Sequence, residues 1–266
     1  MEKEIEIAGK KIFYRAFGSG KPVMLVHGFG ETGDVWSNQV DFLKDKFQLI
    51  VPDLPGSGRS EMIDDMSMEG MAEALKDILD KEVELPGGEV SLVGHSMGGY
   101  ITLAFVEKYE SLLHSFGLFH STAFPDSEEK KAARQKSIEF IKEHGAFEFL
   151  KTSTPNLFAP RSKEKTPDMV NKFVQSLSGF TPEALISYYE AMMKRPDRTQ
   201  VLKNAKIPLL LVLGQHDTAV PIEDGLKQCS MADKTYFHLL HESGHMGMFE
   251  EVDKSNRLLE DFLSEV

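Results

Sequence analysis

At 266 residues the chain exceeds the commonest domain size but suits one α/β domain with an insertion, long enough to bury a sizeable core. Its formal net charge of -12 argues against nucleic acid and anionic membrane surfaces as partners, because both repel it. The single cysteine, Cys229, excludes an internal disulfide and a cysteine-rich metal site.

The first fifty residues alternate short strands with turns. Strands are expected over 4–8 and 11–17, joined at Gly9-Lys10, then over 22–26 after a Gly18-Ser19-Gly20 loop. From there helix and strand take turns: helix 35–46, strand 47–51, helix 68–81, strand 89–93, helix 97–109, strand 115–119. After a gap the series resumes with strand 208–213, helix 222–231, strand 234–240 and helix 253–263. Runs such as Met24-Leu25-Val26 and Leu209-Leu210-Leu211-Val212-Leu213 suit parallel strands covered on both faces. The fold class is therefore α/β, a doubly wound and mostly parallel sheet.

The gap, residues 122–198, breaks the alternation. It reads as helices over 127–144, 147–152, 167–178 and 182–194, separated by Pro155, Pro160 and Gly179, with no convincing strand. The expected division is a core of 1–121 and 199–266 with an inserted helical segment at 122–198. Its large apolar groups, among them Phe147, Phe173 and Tyr189, either pack the helices onto the core or wall a substrate pocket beneath a lid.

The most informative stretch is Gly94-His95-Ser96-Met97-Gly98, a Gly-x-Ser-x-Gly between a strand and a helix. That turn is sharp and needs small residues on either side of the serine, so the hydroxyl of Ser96 is held clear of the sheet as a nucleophile. With Gly and Ser each near ~7% of residues, chance supplies the pattern about 0.1 times in such a chain. The motif alone thus needs partners: a base, a group to orient the base, and donors for an oxyanion.

Each partner has a candidate. His27-Gly28-Phe29-Gly30 follows strand 22–26, and its loop brings the backbone N–H of Phe29 towards Ser96, with Met97 as the second donor. Asp217 lies on the loop after strand 208–213, and His245 follows strand 234–240 through a Ser243-Gly244 turn. Asp217 alone is also a common turn former, and the Gly28 loop also reads as an ordinary strand-to-helix turn. His120, at the end of strand 115–119, either faces the pocket or serves as a cap. One competing pattern is His241-Glu242-Ser243-Gly244-His245, which matches a zinc signature that requires both histidines on one helical face. The β-rich run before it and its Ser-Gly interruption speak against a helix, so no metal and no cofactor is expected.

The order of five blocks, His27–Gly30, Asp53–Ser60, Gly94–Gly99, Gly214–Asp217 and Gly244–Met246, resembles the α/β-hydrolase family of the serine-esterase type over essentially the whole chain. The resemblance implies a Ser96, Asp217, His245 triad, an oxyanion hole from the Phe29 and Met97 amides, a helical lid, and a structural loop at Asp53–Ser60. A serine nucleophile sets it apart from the aspartate branches, the epoxide hydrolase and haloalkane dehalogenase types. One scaffold hosts many reactions. The expected activity is that of a carboxylesterase acting on a small or medium acyl ester. Thioesterases, lactonases and carbon-carbon bond hydrolases of dienones are rivals within the family. A hydrolase-like ligand receptor with slow turnover is the alternative of another class, although such receptors usually depart from Gly-His-Ser-Met-Gly-Gly. The start, Met-Glu-Lys-Glu-Ile-Glu-Ile, lacks the basic region and apolar run of a signal peptide, and no apolar stretch is long enough for a bilayer, so the expected location is cytoplasmic and the expected partner a small-molecule ester.

Overall fold

The computed structural model describes residues 1–83 and 90–266. It opens with a hairpin of β1 (Glu2–Ile7) and β2 (Lys10–Phe17), followed by β3 (Lys21–Val26), α1 (Ser37–Leu43) and β4 (Phe47–Pro52). A 3-10 turn over Gly33–Trp36 leads into α1, and the chain leaves it at Leu43 to enter β4, so the helix is shorter than the 35–46 that periodicity suggests. Next come α2 (Met68–Glu82), capped by the Ser67 hydroxyl, then β5 (Val90–His95), α3 (Met97–Tyr109) and β6 (Leu113–Phe119). Glu89, which the sequence reading counts into the strand, lies outside the described residues.

Six helices then separate β6 from β7 (Leu209–Gly214): α4 (Glu128–His144), α5 (Ala146–Ser153), α6 (Pro160–Lys165), α7 (Pro167–Ser176), α8 (Pro182–Lys194) and α9 (Thr199–Asn204). Among the described residues this stretch holds no strand. Ser127 and Thr181 cap α4 and α8 by accepting backbone N–H groups, and prolines open α6, α7 and α8, where a missing N–H costs nothing. The short α6 and α9 escape a sequence reading because six polar-rich residues carry no helical periodicity. The Arg198 N–H donates to the Ala123 carbonyl at 2.9 Å, so the helical stretch leaves and rejoins the core side by side. The chain ends with α10 (Ile222–Gln228), β8 (Thr235–Leu240), α11 (Gly247–Glu250) and α12 (Val252–Glu265).

The eight strands form one sheet in the order β1-β2-β4-β3-β5-β6-β7-β8. β2 runs antiparallel to β1 and β4, and every other pair is parallel. Side chains alternate between the faces, and each face has its own core. Met24, Val26, Leu209, Leu211 and Leu213 join the cluster built on α2 and α3. Their neighbours Val23, Leu25, Leu210 and Val212 join the cluster built on α1 and α12. Burial on both sides is why β3 and β7 read as unbroken apolar runs rather than as alternations. Each fully buried leucine or valine contributes roughly 1.5 to 3 kcal/mol against exposure.

Register then aligns the carboxyl ends of the central strands. His95 pairs with Phe119, Phe119 with Val212, and Gly214 with Leu240. Ser96, His120, the 215–217 loop and the 241–245 turn therefore emerge along one edge of the sheet, where doubly wound folds place their ligands.

Candidate active site

Ser96 sits between β5 and α3 at φ 50°, ψ −116°, a conformation that a residue with a Cβ adopts only under constraint. Such strain costs on the order of 1–3 kcal/mol and persists where the surroundings impose it. The surroundings are explicit. A Cβ on Gly94 would lie 2.2 Å from the Gly98 carbonyl oxygen, and one on Gly98 would lie 2.5 Å from that of His27. The Ser96 N–H donates to the Phe119 carbonyl at 3.0 Å, and the Ser121 hydroxyl donates to the Ser96 carbonyl at 2.7 Å. The turn is thus pinned from both sides, and the Ser96 side chain remains partly exposed at the N-terminus of α3. The positive end of that helix lies at the turn, where it favours negative charge.

Gly28 approaches this turn so closely that a Cβ on it would lie 3.1 Å from the Ser96 Cβ. Phe29 follows directly and is half-buried. Its ring stacks on Tyr189 of α8 with centroids 4.3 Å apart, and it meets Phe149 of α5 and Tyr188 of α8 edge-on at 6.4 and 6.3 Å. Leu150 of α5 closes over Gly30, where a Cβ would lie 2.7 Å from its Cδ2. The inserted helices therefore rest on the loop beside Ser96.

Asp217 divides its two oxygens between jobs. Oδ1 accepts from the backbone N–H groups of Ala219 and Val220 at 2.8 and 2.9 Å, and Oδ2 accepts from His245 Nδ1 at 2.7 Å. All three acceptances favour the carboxylate, and together with the adjacent histidines they outweigh burial and hold Asp217 below the usual carboxylate range. Burial disfavours a charged His245, but the Asp217 charge and hydrogen bond, helped by Glu31 and Glu250, leave its imidazolium easier to form than an ordinary histidine's. A hydrogen bond at Nδ1 fixes the tautomer and leaves Nε2 to accept a proton. Among the described residues the Ser96 hydroxyl has no hydrogen bond to His245; such bonds are often long before substrate arrives.

These features occur together in a chain whose residues 21–137 match a family model described as the alpha/beta hydrolase fold. The structure superimposes on a thermophilic esterase from Thermogutta terrifontis with a TM-score of 0.91 and 29% identity, over 100% of this chain and 98% of that one. The chain has the α/β-hydrolase fold. Its curated relatives include a 2-hydroxy-6-oxo-6-phenylhexa-2,4-dienoate hydrolase of Comamonas testosteroni, 25% identical over 98% of this chain and 93% of the other. A 2-hydroxy-6-oxononadienedioate/2-hydroxy-6-oxononatrienedioate hydrolase of Escherichia coli strain K12 is 28% identical over 98% and 94%.

Other sequence candidates are placed differently in this fold. His120 is fully buried and has the same positive φ as Ser96. Its ring points not at open space but at Asp217, with Nδ1 3.4 Å from Oδ2, and burial lowers its pKa to about 4, which keeps it neutral. Tyr189 is against Phe29, whereas Phe147 is half-buried under the Lys151 ammonium and Phe173 packs on Phe158 and Phe249. Phe173 also faces a cavity of about 460 Å³ shared with Thr32, Val35 and Met169. Residues 241–245 form a turn and α11 starts at Gly247, so His241 and His245 share no helical face; His241 is exposed while His245 bonds Asp217. Three histidine and aspartate ligand atoms, from His120, Asp217 and His245, do lie within 4.8 Å of one another. In that group Oδ2 is already engaged by the His245 N–H.

Asp53 is occupied elsewhere. It accepts from Gly33 N–H, Arg59 N–H and Arg15, and so organises the 53–60 loop. His27 accepts the Leu54 N–H at Nε2 and is neutral because it is buried. Two further buried groups carry no local signal in the sequence: Glu31 and His95, which hydrogen-bond one another beneath the turn. Among the described residues no helix is long and apolar enough to cross a membrane.

Proposed function

We propose that this chain is a serine hydrolase that cleaves carboxylic esters of small or medium acyl groups through an acyl-enzyme. Ser96 attacks the carbonyl while His245 accepts its proton at Nε2, and Asp217 orients and balances the resulting imidazolium. The Phe29 and Met97 amides stabilise the tetrahedral oxyanion. His245 then returns the proton to the departing alkoxide, and a water repeats the cycle on the acyl-serine to release the acid. The observation that carries this reading is the buried 2.7 Å Asp217–His245 bond at the edge of the sheet where the strained Ser96 emerges.

Helices α4 to α8 act in this reading as the lid, and Phe149 and Tyr189 from them form with Phe29 an apolar wall at the acyl side. Arg134, whose guanidinium lies over the Tyr189 ring at 5.4 Å, is spent on Asp126 through Nε at 2.6 Å, as is Arg195 through Nη1 at 2.8 Å, which favours a neutral substrate at that wall. A second reading, hydrolysis of a carbon-carbon bond in a dienoate, is supported by the names of the curated relatives. It uses the same attack on a carbonyl but expels a carbon leaving group.

A panel of p-nitrophenyl esters, thioesters, lactones and a 2-hydroxy-6-oxo-dienoate, assayed with a chelator and with a serine-directed organophosphate, tests the proposal. Ester turnover that the organophosphate abolishes and the chelator spares is expected. Faster turnover of the dienoate than of every ester transfers the assignment to the second reading, and inhibition by the chelator alone removes both.

A further inference from the structure

Beneath the Ser96 turn, Glu31 and His95 are 2% and 0% exposed, and the proposed reaction gives neither a role. Glu31 Oε2 accepts from the Gly28 N–H at 2.6 Å and lies 2.9 Å from His95 Nδ1. His95 Nε2 lies 2.9 Å from the carbonyl oxygen of His245. A carbonyl only accepts, so Nε2 donates; Nδ1 faces a carboxylate oxygen, so that contact also needs a proton. We propose that Glu31 and His95 form a positioning pair that ties the donor loop at Gly28-Phe29 and the base-bearing loop at His245 to the turn that carries Ser96.

The connectivity supports this role. Gly28 immediately precedes the proposed oxyanion donor Phe29, His95 immediately precedes Ser96, and the third group is the backbone of His245 itself. One hydrogen-bonded chain thus touches the donor, the nucleophile and the base, although the bonded partners are 3, 64 and 150 residues apart in sequence. The His95 ring is held by Trp36 edge-on at 6.3 Å, Phe119 at 6.5 Å, His120 at 6.1 Å and His245 at 4.9 Å, which leaves it little freedom to swing. A buried carboxylate–imidazole pair is weak as a source of net stability, since desolvation offsets the attraction. Its geometric consequence is larger: misplacing a reacting group by about 1 Å costs on the order of 10²-fold in rate.

The inference rests on the Ser96 reading, so the experiment separates them. Labelling of Ser96 by a fluorophosphonate, absent in Ser96→Ala, establishes that reading independently. Glu31→Gln keeps an acceptor for the Gly28 N–H but removes the charge, and His95→Gln keeps one donor for the His245 carbonyl. Each variant is expected to lower kcat by roughly 10- to 100-fold with KM within about twofold of the parent. The Glu31→Gln, His95→Gln double variant is expected to lose no more than the worse single, as partners in one unit do. The acid limb of kcat/KM is also expected to fall to lower pH in Glu31→Gln. Of the charged or titratable groups around His245, namely Asp217, His120, His95, Glu31 and Glu250, this variant removes one negative charge that favours the imidazolium. Parental kcat in either folded single variant, or additive losses in the double, overturns the pair while leaving Ser96 in place. No labelling of Ser96 overturns both. Should Glu31→Gln fail to fold, His95→Gln alone decides through the same split of kcat from KM.

Discussion

The ring of Tyr189 lies nearly parallel to that of Phe29, 21° between planes and 4.3 Å between centroids, so a residue of the inserted helices is stacked on the loop that follows β3. In the proposed reading, chemistry on the sheet and selectivity in the helices meet at that contact. Tyr189→Leu is therefore expected to change the preference among acyl lengths by about ten- to two-hundredfold, the scale of a methylene or more in an apolar pocket. Phe147→Leu is expected to keep the parental profile, because Phe147 lies beneath Lys151 instead. A chain-length series of p-nitrophenyl esters checks both, and an unchanged profile in Tyr189→Leu moves the acyl pocket elsewhere.

Ser96→Ala is expected to retain the fold and to lose ~10⁶ in turnover if the triad acts as a unit. Side-chain loss at a partly exposed position removes little packing, so the melting temperature should stay close to the parent's. His245→Ala is expected to match that loss. Asp217→Asn is expected to cost about 10⁴, since it disturbs the tautomer and the charge but leaves the nucleophile and base present. Residual activity above a tenth in Ser96→Ala would place the nucleophile elsewhere.

Activity is expected to fall as pH drops through the pKa of His245, because the protonated ring cannot take the Ser96 proton. Burial alone would lower that pKa, but Asp217 raises it by charge and hydrogen bond, so the net shift is upward. The acid limb of kcat/KM in the free enzyme should then lie above the ordinary histidine value of about 6.5. In Asp217→Asn the limb should move down in pH, and an unmoved limb would mean that another carboxylate holds the ring.

Gly98→Ala is expected to destabilise by more than the roughly 1–3 kcal/mol of ordinary overpacking, since the new Cβ would meet backbone and not a movable side chain. The clashing atoms are the carbonyl oxygens of His27 at 2.5 Å and Val26 at 2.6 Å, both at the end of β3. A thermal melt and a fluorophosphonate labelling rate read the two consequences: a lower melting temperature and a displaced Ser96. A variant with parental values in both would show that the turn is not pressed against β3.

Chain-local patterns in the sequence set out the scaffold. Apolar runs at β3 and β7 announce strands covered on both faces, Gly94 and Gly98 announce a tight turn at Ser96, and chain order alone puts Asp217 and His245 after the last two strands. Such features are legible because each depends on neighbours within a few residues, through side-chain period and backbone sterics. Tertiary structure alone decided which side chains those turns meet. Glu31 and His95, 64 residues apart in sequence, are brought into hydrogen-bond contact through the β3–β5 pairing, a contact that no local pattern encodes. The same holds for Phe147, Phe173 and Tyr189, three large groups on amphipathic helices, of which the packing of α8 brings only Tyr189 onto Phe29. His120 follows the same rule: its place at a strand end is visible in the sequence, but sheet register turned its ring inward onto Asp217, where burial keeps it neutral.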